Sequence, residues 1–153
     1  MSNDFTTEMI GFAEALADEA RAVLTAAMGK TPDVELKSDQ SYVTETDKAI
    51  ETRLREIIDE NYPQHGILGE EHGSRDLEAD YVWVLDPIDG TAPFVAGIPV
   101  FGTLIGLARA GRPWLGVIDH PASDDRWVGV AGDMALCNGE PVRTRPCRDI
   151  AAA

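Results

Sequence analysis

The segment Trp83–Phe94, WVLDPIDGTAPF, determines how the rest of the chain is interpreted. An apolar, strand-like run from Tyr81 to Leu85 stops at Asp86, and a second carboxylate follows at Asp89. A glycine and a threonine come next, so a tight turn and a candidate helix start follow the acidic pair. Mg²⁺ prefers carboxylate oxygens together with the phosphate oxygens of a substrate. The segment therefore predicts a site for magnesium and phosphate at the end of a buried strand.

Several groups of this turn have a chemical role in that prediction. Asp86 and Asp89, at i and i+3, can face one cation or bridge two. The proline between them lacks an amide hydrogen, which leaves the carbonyl of Ile88 as a candidate third ligand. If a helix begins at Thr91, the N–H groups of Gly90 and Thr91 form a phosphate site. A plain surface turn is the alternative, since Asp-Pro and Asp-Gly are common turn pairs; the preceding strand and the following Gly-Thr favour the site.

A second acidic element, Gly69–Gly73 with the sequence GEEHG, lies upstream and is expected to supply a third carboxylate. It follows the apolar pair Ile67-Leu68, which places it at another strand end. Glu70 is favoured over Glu71 because it comes first after the strand. A solvated loop is the alternative for this element, and His72 fits an exposed position better than a metal ligand.

Thr44 and Asp47 mark the start of a helix. Thr44 is a typical N-cap residue, and Asp47 lies in the first turn, where a negative charge is favourable. Asp47 is equally compatible with simple capping and with a part in the acidic site. The helix is predicted to reach Asn61, where a Tyr-Pro pair follows.

Apolar spacing elsewhere predicts an α+β fold, with two N-terminal helices packed on a largely antiparallel sheet. The first helix spans Thr6–Met28, and the inward residues of the second are Ile50, Leu54, Ile57 and Ile58. A short hairpin over Leu36–Val43, turning at Ser38-Asp39-Gln40, connects the two helices. The predicted strands are Gly66–Gly69, Tyr81–Leu85, Phe101–Ala108, Trp114–Asp119, Arg126–Ala131 and Met134–Cys137. Asn138-Gly139 is a strong hairpin signal.

Composition excludes several classes of function. The 153 residues carry 27 acidic against 13 basic side chains, a formal net charge of −14, which opposes binding to nucleic acid or to an anionic membrane surface. The first 20 residues have no basic stretch before an apolar run, so no secretory signal is expected. Cys137 and Cys147 form neither a disulfide framework nor a zinc spacing, and we expect reduced thiols in a cytoplasmic protein.

Four stretches in order resemble the inositol monophosphatase family of Mg²⁺-dependent, Li⁺-sensitive phosphatases. They are VTETD (Val43–Asp47), GEEHG, WVLDPIDGT and IPVFGTLIGLA. The resemblance implies the N-terminal part of a layered α/β/α/β sugar-phosphatase-like fold. The stretch GTLIGLARAGRPWLGVIDHPASDDRWVG is similar to the bacterial histidinol-phosphate phosphatase branch.

The resemblance also implies a metal centre of two or three Mg²⁺ ions in a complete site. Glu70, Asp86 and the carbonyl of Ile88 would hold the first ion, and Asp86 with Asp89 would hold the second. The expected substrate is a small phosphate monoester of the inositol monophosphate or histidinol phosphate type.

Catalytic and phosphate-binding roles follow from the same resemblance. The backbone N–H groups of Gly90 and Thr91 would hold the phosphate. Thr91, together with Asp47, would orient the attacking water, and Glu70 would assist its activation. Metal-bound water is much more acidic than bulk water, and phosphoryl transfer needs little from the protein beyond positioning and charge neutralisation.

The resemblance covers only the N-terminal portion of that family. Residues 1–142 are expected to form a metal-binding phosphatase domain, and residues 143–153 a truncated connection to a missing C-terminal domain. The missing part would carry another Asp ligand and most substrate contacts, so we expect little or no turnover by this chain alone. Full-length members of the family are expected to be homodimers.

Two other classes of protein remain open on the sequence. Haloacid-dehalogenase phosphatases also carry an acidic pair before Gly-Thr, but their acids are spaced i, i+2 and the first is a nucleophile. A non-catalytic metal-binding or regulatory fragment is the other alternative, although DPIDG lacks the alternating acids of an EF-hand loop.

Overall fold

The computed structural model describes residues 3–38 and 42–152 of the chain. Within these residues, two long helices and one short helix accompany an eight-stranded sheet and a separate two-stranded ribbon. The helices are α1 (Asn3–Ala27), α2 (Glu45–Asn61) and α3 (Thr91–Ala96). The strands are β1 (Val34–Leu36), β2 (Tyr42–Thr44), β3 (Gly66–Gly69), β4 (Ser74–Arg75), β5 (Tyr81–Asp89), β6 (Gly102–Arg109), β7 (Arg112–His120), β8 (Asp125–Val130), β9 (Met134–Cys137) and β10 (Glu140–Pro141). The predicted α+β class is confirmed.

The large sheet has the order β10-β9-β8-β7-β6-β5-β3-β4. Neighbouring strands are antiparallel except β3 and β5, which run parallel. The parallel pairing places the ends of β3 and β5 at the same edge of the sheet, because Gly69 pairs with Leu85. The acidic residues that follow these two strands are therefore neighbours in space.

Helices α1 and α2 pack against each other and against strands β5 to β7. On α1 the buried positions follow the predicted helical spacing and are Met9, Ala13, Leu16, Ala17, Ala20 and Leu24. On α2 they are Ile50, Leu54 and Ile58, with Ile57 partly buried beside them. The apolar stripes of both helices meet the inward side chains of the sheet, such as Trp83 and Leu85, in one core.

Tight turns between the strands follow the sequence signals. Ala110 and Gly111 both have positive φ, at 48° and 71°, as do Asn138 and Gly139, at 50° and 81°. Two residues with positive φ are typical of the type I′ hairpin turn, and Asn-Gly is its preferred sequence. The predicted hairpin at Asn138-Gly139 is confirmed, because Glu140 pairs with Cys137.

The ribbon of β1 and β2 corresponds to the predicted hairpin, although its first strand begins at Val34. The predicted turn residues Asp39 and Gln40 lie outside the described part of the chain.

Near the C-terminal end, Asp149 accepts a hydrogen bond from the Ala151 amide at 3.0 Å and begins a 3₁₀ turn. The domain boundary between residues 142 and 143 stays a prediction. Among the described helices, none has the length and apolar character needed to cross a membrane.

Candidate active site

The acidic turn lies in a β-bulge of β5. The strand does not end at Leu85, as the sequence predicted; its pairing with β6 continues to Asp89, with a register shift between Asp86 and Asp89. Pro87 has no amide hydrogen for the ladder, and its carbonyl accepts a hydrogen bond from the Thr103 hydroxyl at 2.8 Å. Bulges bend a strand and redirect its side chains. The strand thus carries the acidic pair to the edge of the sheet.

Gly90 ends the bulge in a conformation that suits glycine. Its φ is +86°, and a Cβ atom there would lie 3.0 Å from the carbonyl oxygen of Val100. Helix α3 begins at the next residue, and no side chain of the described residues caps it. The hydroxyl of Thr91 lies 3.0 Å from the carbonyl oxygen of Ile88, so the turn folds back on itself.

Asp47 both caps helix α2 and reaches this turn. Its Oδ2 atom accepts hydrogen bonds from the Thr44 amide at 2.8 Å and the Thr44 hydroxyl at 2.5 Å. Its Oδ1 atom lies 3.3 Å from the Thr91 hydroxyl, which is the donor. The predicted N-cap at Thr44 is confirmed. Burial raises the pKa of Asp47, and the hydrogen bonds from Thr44 and Thr91 oppose that rise.

The two glutamates after β3 differ in exposure. The Glu70 side chain is 45% exposed and the Glu71 side chain 4% exposed. The ammonium group of Lys37 lies 3.1 Å from Glu70 Oε1 and 2.8 Å from Glu71 Oε1. Burial raises the pKa of Glu71, and the Lys37 ion pair opposes this rise. Both glutamates thus lie at the site, and Glu71, which the sequence favoured less than Glu70 as a ligand, is the more buried of the two.

Asp86 is the least satisfied acid of the site. Within the described residues, its Oδ1 atom is buried and has no hydrogen-bond partner. Burial, together with the charges of Glu70, Asp89 and Asp47 and a hydrogen bond with Glu70, raises the pKa of Asp86 to about 7. An ionised carboxylate here lacks enough positive charge around it, which is the situation that a bound cation would relieve.

The structure brings the predicted site residues together without closing them around one point. Electrostatic coupling or hydrogen bonds connect Asp47, Glu70, Asp86, Asp89 and Thr91. In the described ranges, however, no group of three or more His, Cys, Asp or Glu side chains is arranged to hold a metal ion. Asp89 is exposed, and Glu70 is paired with Lys37.

Two residues at this site were not identified from the sequence. Lys37 belongs to the segment after β1, and no local pattern indicates its contact with the glutamates. Glu51 is fully buried on α2 and accepts hydrogen bonds from the loop that follows β3. A signal for Glu51 was present, because a charged residue lies between the inward positions Ile50 and Leu54. His72 is exposed, as predicted.

Comparison with known proteins defines the class. A sequence model of the inositol monophosphatase family matches residues 6–153, and this chain belongs to that family. The predicted resemblance is thereby confirmed. This family membership argues against the haloacid-dehalogenase alternative, which assigned the acidic pair to a different class of phosphatase.

The chain is similar to particular proteins in sequence and in fold. The chain is 47% identical, over 152 residues, to the bifunctional phosphatase IMPL2 of Arabidopsis thaliana, a chloroplastic protein. It is 36% identical over 130 residues to the histidinol-phosphatase of Mycobacterium tuberculosis. The crystal structure of the extragenic suppressor protein suhB from Bartonella henselae superposes with a TM-score of 0.86 at 27% identity.

The chain spans about half the length of these relatives. The first match covers 96% of this chain but 44% of the plant protein, and the second covers 84% and 50%. The structural match covers 92% of this chain and 56% of the suhB chain. The activity and substrates of the whole proteins are therefore taken up for this chain only as proposals.

Proposed function

We propose that this chain carries the metal- and phosphate-binding part of a phosphate monoester hydrolase. In this proposal Glu70, Asp86, Asp89 and the Ile88 carbonyl bind Mg²⁺. Gly90 and Thr91 hold the phosphate group through their backbone N–H groups. Asp47, Glu70 and Thr91 orient and activate the water that attacks phosphorus.

The observation that carries the proposal is the buried, unpartnered Oδ1 atom of Asp86 beside Glu70. Buried polar atoms almost always have a hydrogen-bond partner, so an orphan of this kind points to a missing ligand. The acids that interact with it, Glu70, Asp89 and Asp47, carry carboxylate oxygens, which are ligands that Mg²⁺ prefers. With a net charge of −14, the chain also needs bound cations before an anionic phosphate can approach.

The chain's own residues have defined tasks in the reaction. Bound Mg²⁺ would supply charge neutralisation and a water that is acidic near neutral pH. Asp47 accepts a hydrogen bond from the Thr91 hydroxyl, which leaves a Thr91 oxygen lone pair free to accept a hydrogen bond from the nucleophilic water. The Ile88 carbonyl oxygen lies 3.0 Å from the same hydroxyl, which has only one hydrogen; in this proposal that hydrogen goes to Asp47 and the carbonyl is left for the cation. Asp47 and Thr91 are thus the water-orienting pair.

Cation binding in this proposal requires small side-chain movements. Glu70 has to leave the ammonium group of Lys37, which lies 3.1 Å away, while it stays beside Asp86. Glu70 is half exposed and Asp89 is exposed, so neither rotation requires the core to repack. Lys37 keeps its shorter 2.8 Å contact with Glu71 during that change.

The names of two relatives support two candidate substrates. Histidinol phosphate and inositol monophosphate are the two candidates, because relatives bear the names of both phosphatases. We infer that substrate contacts and a further metal ligand come from a second half of the protein, because the relatives are about twice as long as this chain. Homodimer formation by the complete protein and a cytoplasmic location stay predictions.

The test of this function is a calorimetric titration of the chain with Mg²⁺. Wild-type protein should bind Mg²⁺, and Asp86→Asn should lose at least about tenfold in affinity, because one charged ligand is removed. Asp133→Asn is the matched control, since Asp133 is an exposed acid in the turn before β9. Absence of binding to the wild-type chain, or equal binding by Asp86→Asn, would contradict the proposal.

A second measurement addresses the chemistry. Residues 1–153 should show little or no turnover of histidinol phosphate or inositol monophosphate with Mg²⁺. Hydrolysis at rates typical of enzymes, lost in Asp86→Asn, would show that the chain needs no further half. Trapping of a phospho-aspartate at Asp86 would instead indicate a covalent mechanism and contradict attack by water.

A further inference from the structure

Helix α2 faces the GEEHG loop, Gly69–Gly73, with one continuous row of residues. The row consists of Lys48, Glu51, Thr52 and Arg55, at helical positions i, i+3, i+4 and i+7. Glu51, Thr52 and Arg55 contact the loop through their side chains, and Lys48 does so through its backbone carbonyl, 3.3 Å from His72 Nε2. The loop carries the two glutamates of the candidate site, so this helix face determines where their backbone lies.

Glu51 is the centre of that row. Its side chain is fully buried, and its Oε2 atom accepts a hydrogen bond from the Glu71 amide at 2.7 Å. Its Oε1 atom accepts from the His72 amide at 3.1 Å and from Arg55 Nε at 2.8 Å. Two consecutive loop amides and one guanidinium thus satisfy one buried carboxylate, and charge-assisted bonds of this kind are among the strongest in proteins.

The neighbours of Glu51 complete the attachment. Arg55 also donates a hydrogen bond to the carbonyl of Gly73, so the far end of the loop is held by the same helix. The His72 Nε2 atom lies 3.0 Å from the Thr52 hydroxyl oxygen. The loop is therefore fixed at Glu71, His72 and Gly73, all of which directly follow Glu70.

Packing at Gly69 shows how closely the carboxylate is fitted. A Cβ atom at Gly69 would lie 1.9 Å from Glu51 Oε1 and 2.7 Å from Arg55 Nη2. The carboxylate occupies the space that a side chain at Gly69 would need. Glycine at this position lets the buried acid reach the loop amides.

We propose that Glu51 is a positioning residue for the cation site: it fixes the backbone of Glu70–His72 so that Glu70 stays beside Asp86. Asp47, one turn earlier on α2, holds Thr91, so one helix face positions both acidic segments. This inference rests on the proposed function, because it assigns Glu51 a purpose in cation binding. Glu51 itself contacts neither the phosphate site nor Asp86, and it acts through the loop.

The experiment replaces Glu51 with Gln. This change keeps the size of the side chain but places an NH₂ donor where a carboxylate oxygen accepted hydrogen bonds from N–H groups. The Kd for Mg²⁺ should rise by about 10- to 100-fold, the usual effect of losing a residue behind a metal ligand. Two matched variants lie on the same helix. Glu56→Gln removes an exposed charge, and Ile58→Val loosens the buried core; both should bind Mg²⁺ like the wild type.

Amide hydrogen exchange provides a readout that does not depend on Mg²⁺. In Glu51→Gln, the amides of Glu71 and His72 should exchange at least about tenfold faster, because their carboxylate acceptor is lost. In Ile58→Val, no acceleration should be confined to these two amides. Equal Mg²⁺ affinity in wild type and Glu51→Gln would overturn the inference, as would equal loss of affinity in Ile58→Val.

The outcomes separate this inference from the proposed function. If the wild-type chain binds no Mg²⁺, the proposed function fails, and unchanged exchange of the two amides in Glu51→Gln would then overturn the positioning role as well. If Glu51→Gln does not fold, Arg55→Gln takes its place, because Arg55 is partly exposed and holds the same loop. Arg55→Gln should weaken Mg²⁺ binding severalfold. The inference would be overturned if Arg55→Gln bound Mg²⁺ like the wild type and the Glu71 and His72 amides of the wild type were not protected from hydrogen exchange.

Discussion

The Thr91 hydroxyl lies 3.3 Å from the Oδ1 atom of Asp47, although the two residues are 44 positions apart in the chain. The contact joins the first turn of α2 to the turn between β5 and α3. The other Asp47 oxygen caps α2 through Thr44, so a single buried carboxylate stabilises a helix and orients a site residue. Changes at the helix cap are therefore expected to affect both stability and the site.

Replacing Thr44 with Ala tests that link. The variant loses the hydroxyl that donates to Asp47 at 2.5 Å, and α2 loses its side-chain cap. We expect the free energy of unfolding to fall by about 1–2 kcal/mol, the usual value for an N-cap threonine. Urea denaturation followed by circular dichroism measures this change. Thr46→Ala, which removes a hydroxyl inside the first turn, is the control and should change stability by less than about half as much.

The part of this structure that the sequence predicted is the part set by local pattern. The spacing of apolar residues located α1 and α2, and the Asn138-Gly139 pair located a hairpin, because each depends on residues close in sequence. Thr44 was recognisable as a cap for the same reason. Seven positions of the candidate site, from Asp47 to Thr91, were named from short motifs in the sequence and the family resemblance that these motifs carry.

Features set by distant partners were not predictable in this way. The parallel pairing of β3 with β5 depends on which strand meets which, and the short strand β4 exists only as a partner of β3. The extension of β5 to Asp89 depends on β6, since Asp89 pairs with Gly102 and the Pro87 carbonyl accepts a hydrogen bond from the Thr103 hydroxyl. Local periodicity carries no information on such contacts.

Asp86→Asn should stabilise the metal-free chain while removing its response to Mg²⁺. Burial and the neighbouring acids raise the pKa of Asp86 to about 7, so its ionised form is unfavourable in the folded state. Removing that charge should increase the free energy of unfolding at pH 8 by roughly 1 kcal/mol, a value reduced for solvent screening of a half-buried group. Denaturation in EDTA measures this difference.

Saturating Mg²⁺ should reverse the order of the two proteins, because ligand binding adds stability only to the form that binds it. Asp133→Asn, at an exposed position, should follow the wild type in both conditions. A metal-free Asp86→Asn variant that is less stable than the wild type would show that Asp86 has a structural partner that outweighs its charge repulsion.

His65 should make the fold less stable in mild acid. The ring is buried, accepts a hydrogen bond from Trp83 Nε1 at 3.1 Å and stacks on Tyr62 with ring centroids 4.8 Å apart. Burial lowers the pKa of His65 below its ordinary value. Below about pH 6.5 the unfolded chain therefore takes up a proton that the folded chain resists, and the free energy of unfolding falls by up to ~1.4 kcal/mol per pH unit.

The measurement is the slope of unfolding free energy against pH between pH 7 and pH 5. His65→Gln should reduce this slope, whatever its effect on stability at pH 7. His72→Gln is the matched control, because His72 is exposed, and it should keep the wild-type slope. Identical slopes for wild type and His65→Gln would assign the acid sensitivity to other groups.

Replacing Gly69 or Gly11 with alanine should change the free energy of unfolding in opposite directions, because the space around the two positions differs. At Gly69 the new Cβ atom would lie 1.9 Å from Glu51 Oε1, so the buried carboxylate has to move away from the loop amides. We expect Gly69→Ala to lower the free energy of unfolding by about 2–3 kcal/mol, through overpacking and lost hydrogen bonds. At Gly11, exposed on α1, no described atom would lie within 4 Å of the new Cβ atom, and Gly11→Ala should raise the free energy of unfolding by about 0.5–1 kcal/mol. Urea denaturation of both variants checks the signs; a Gly69→Ala variant as stable as the wild type would mean that Glu51 does not hold the loop as tightly as its contacts indicate.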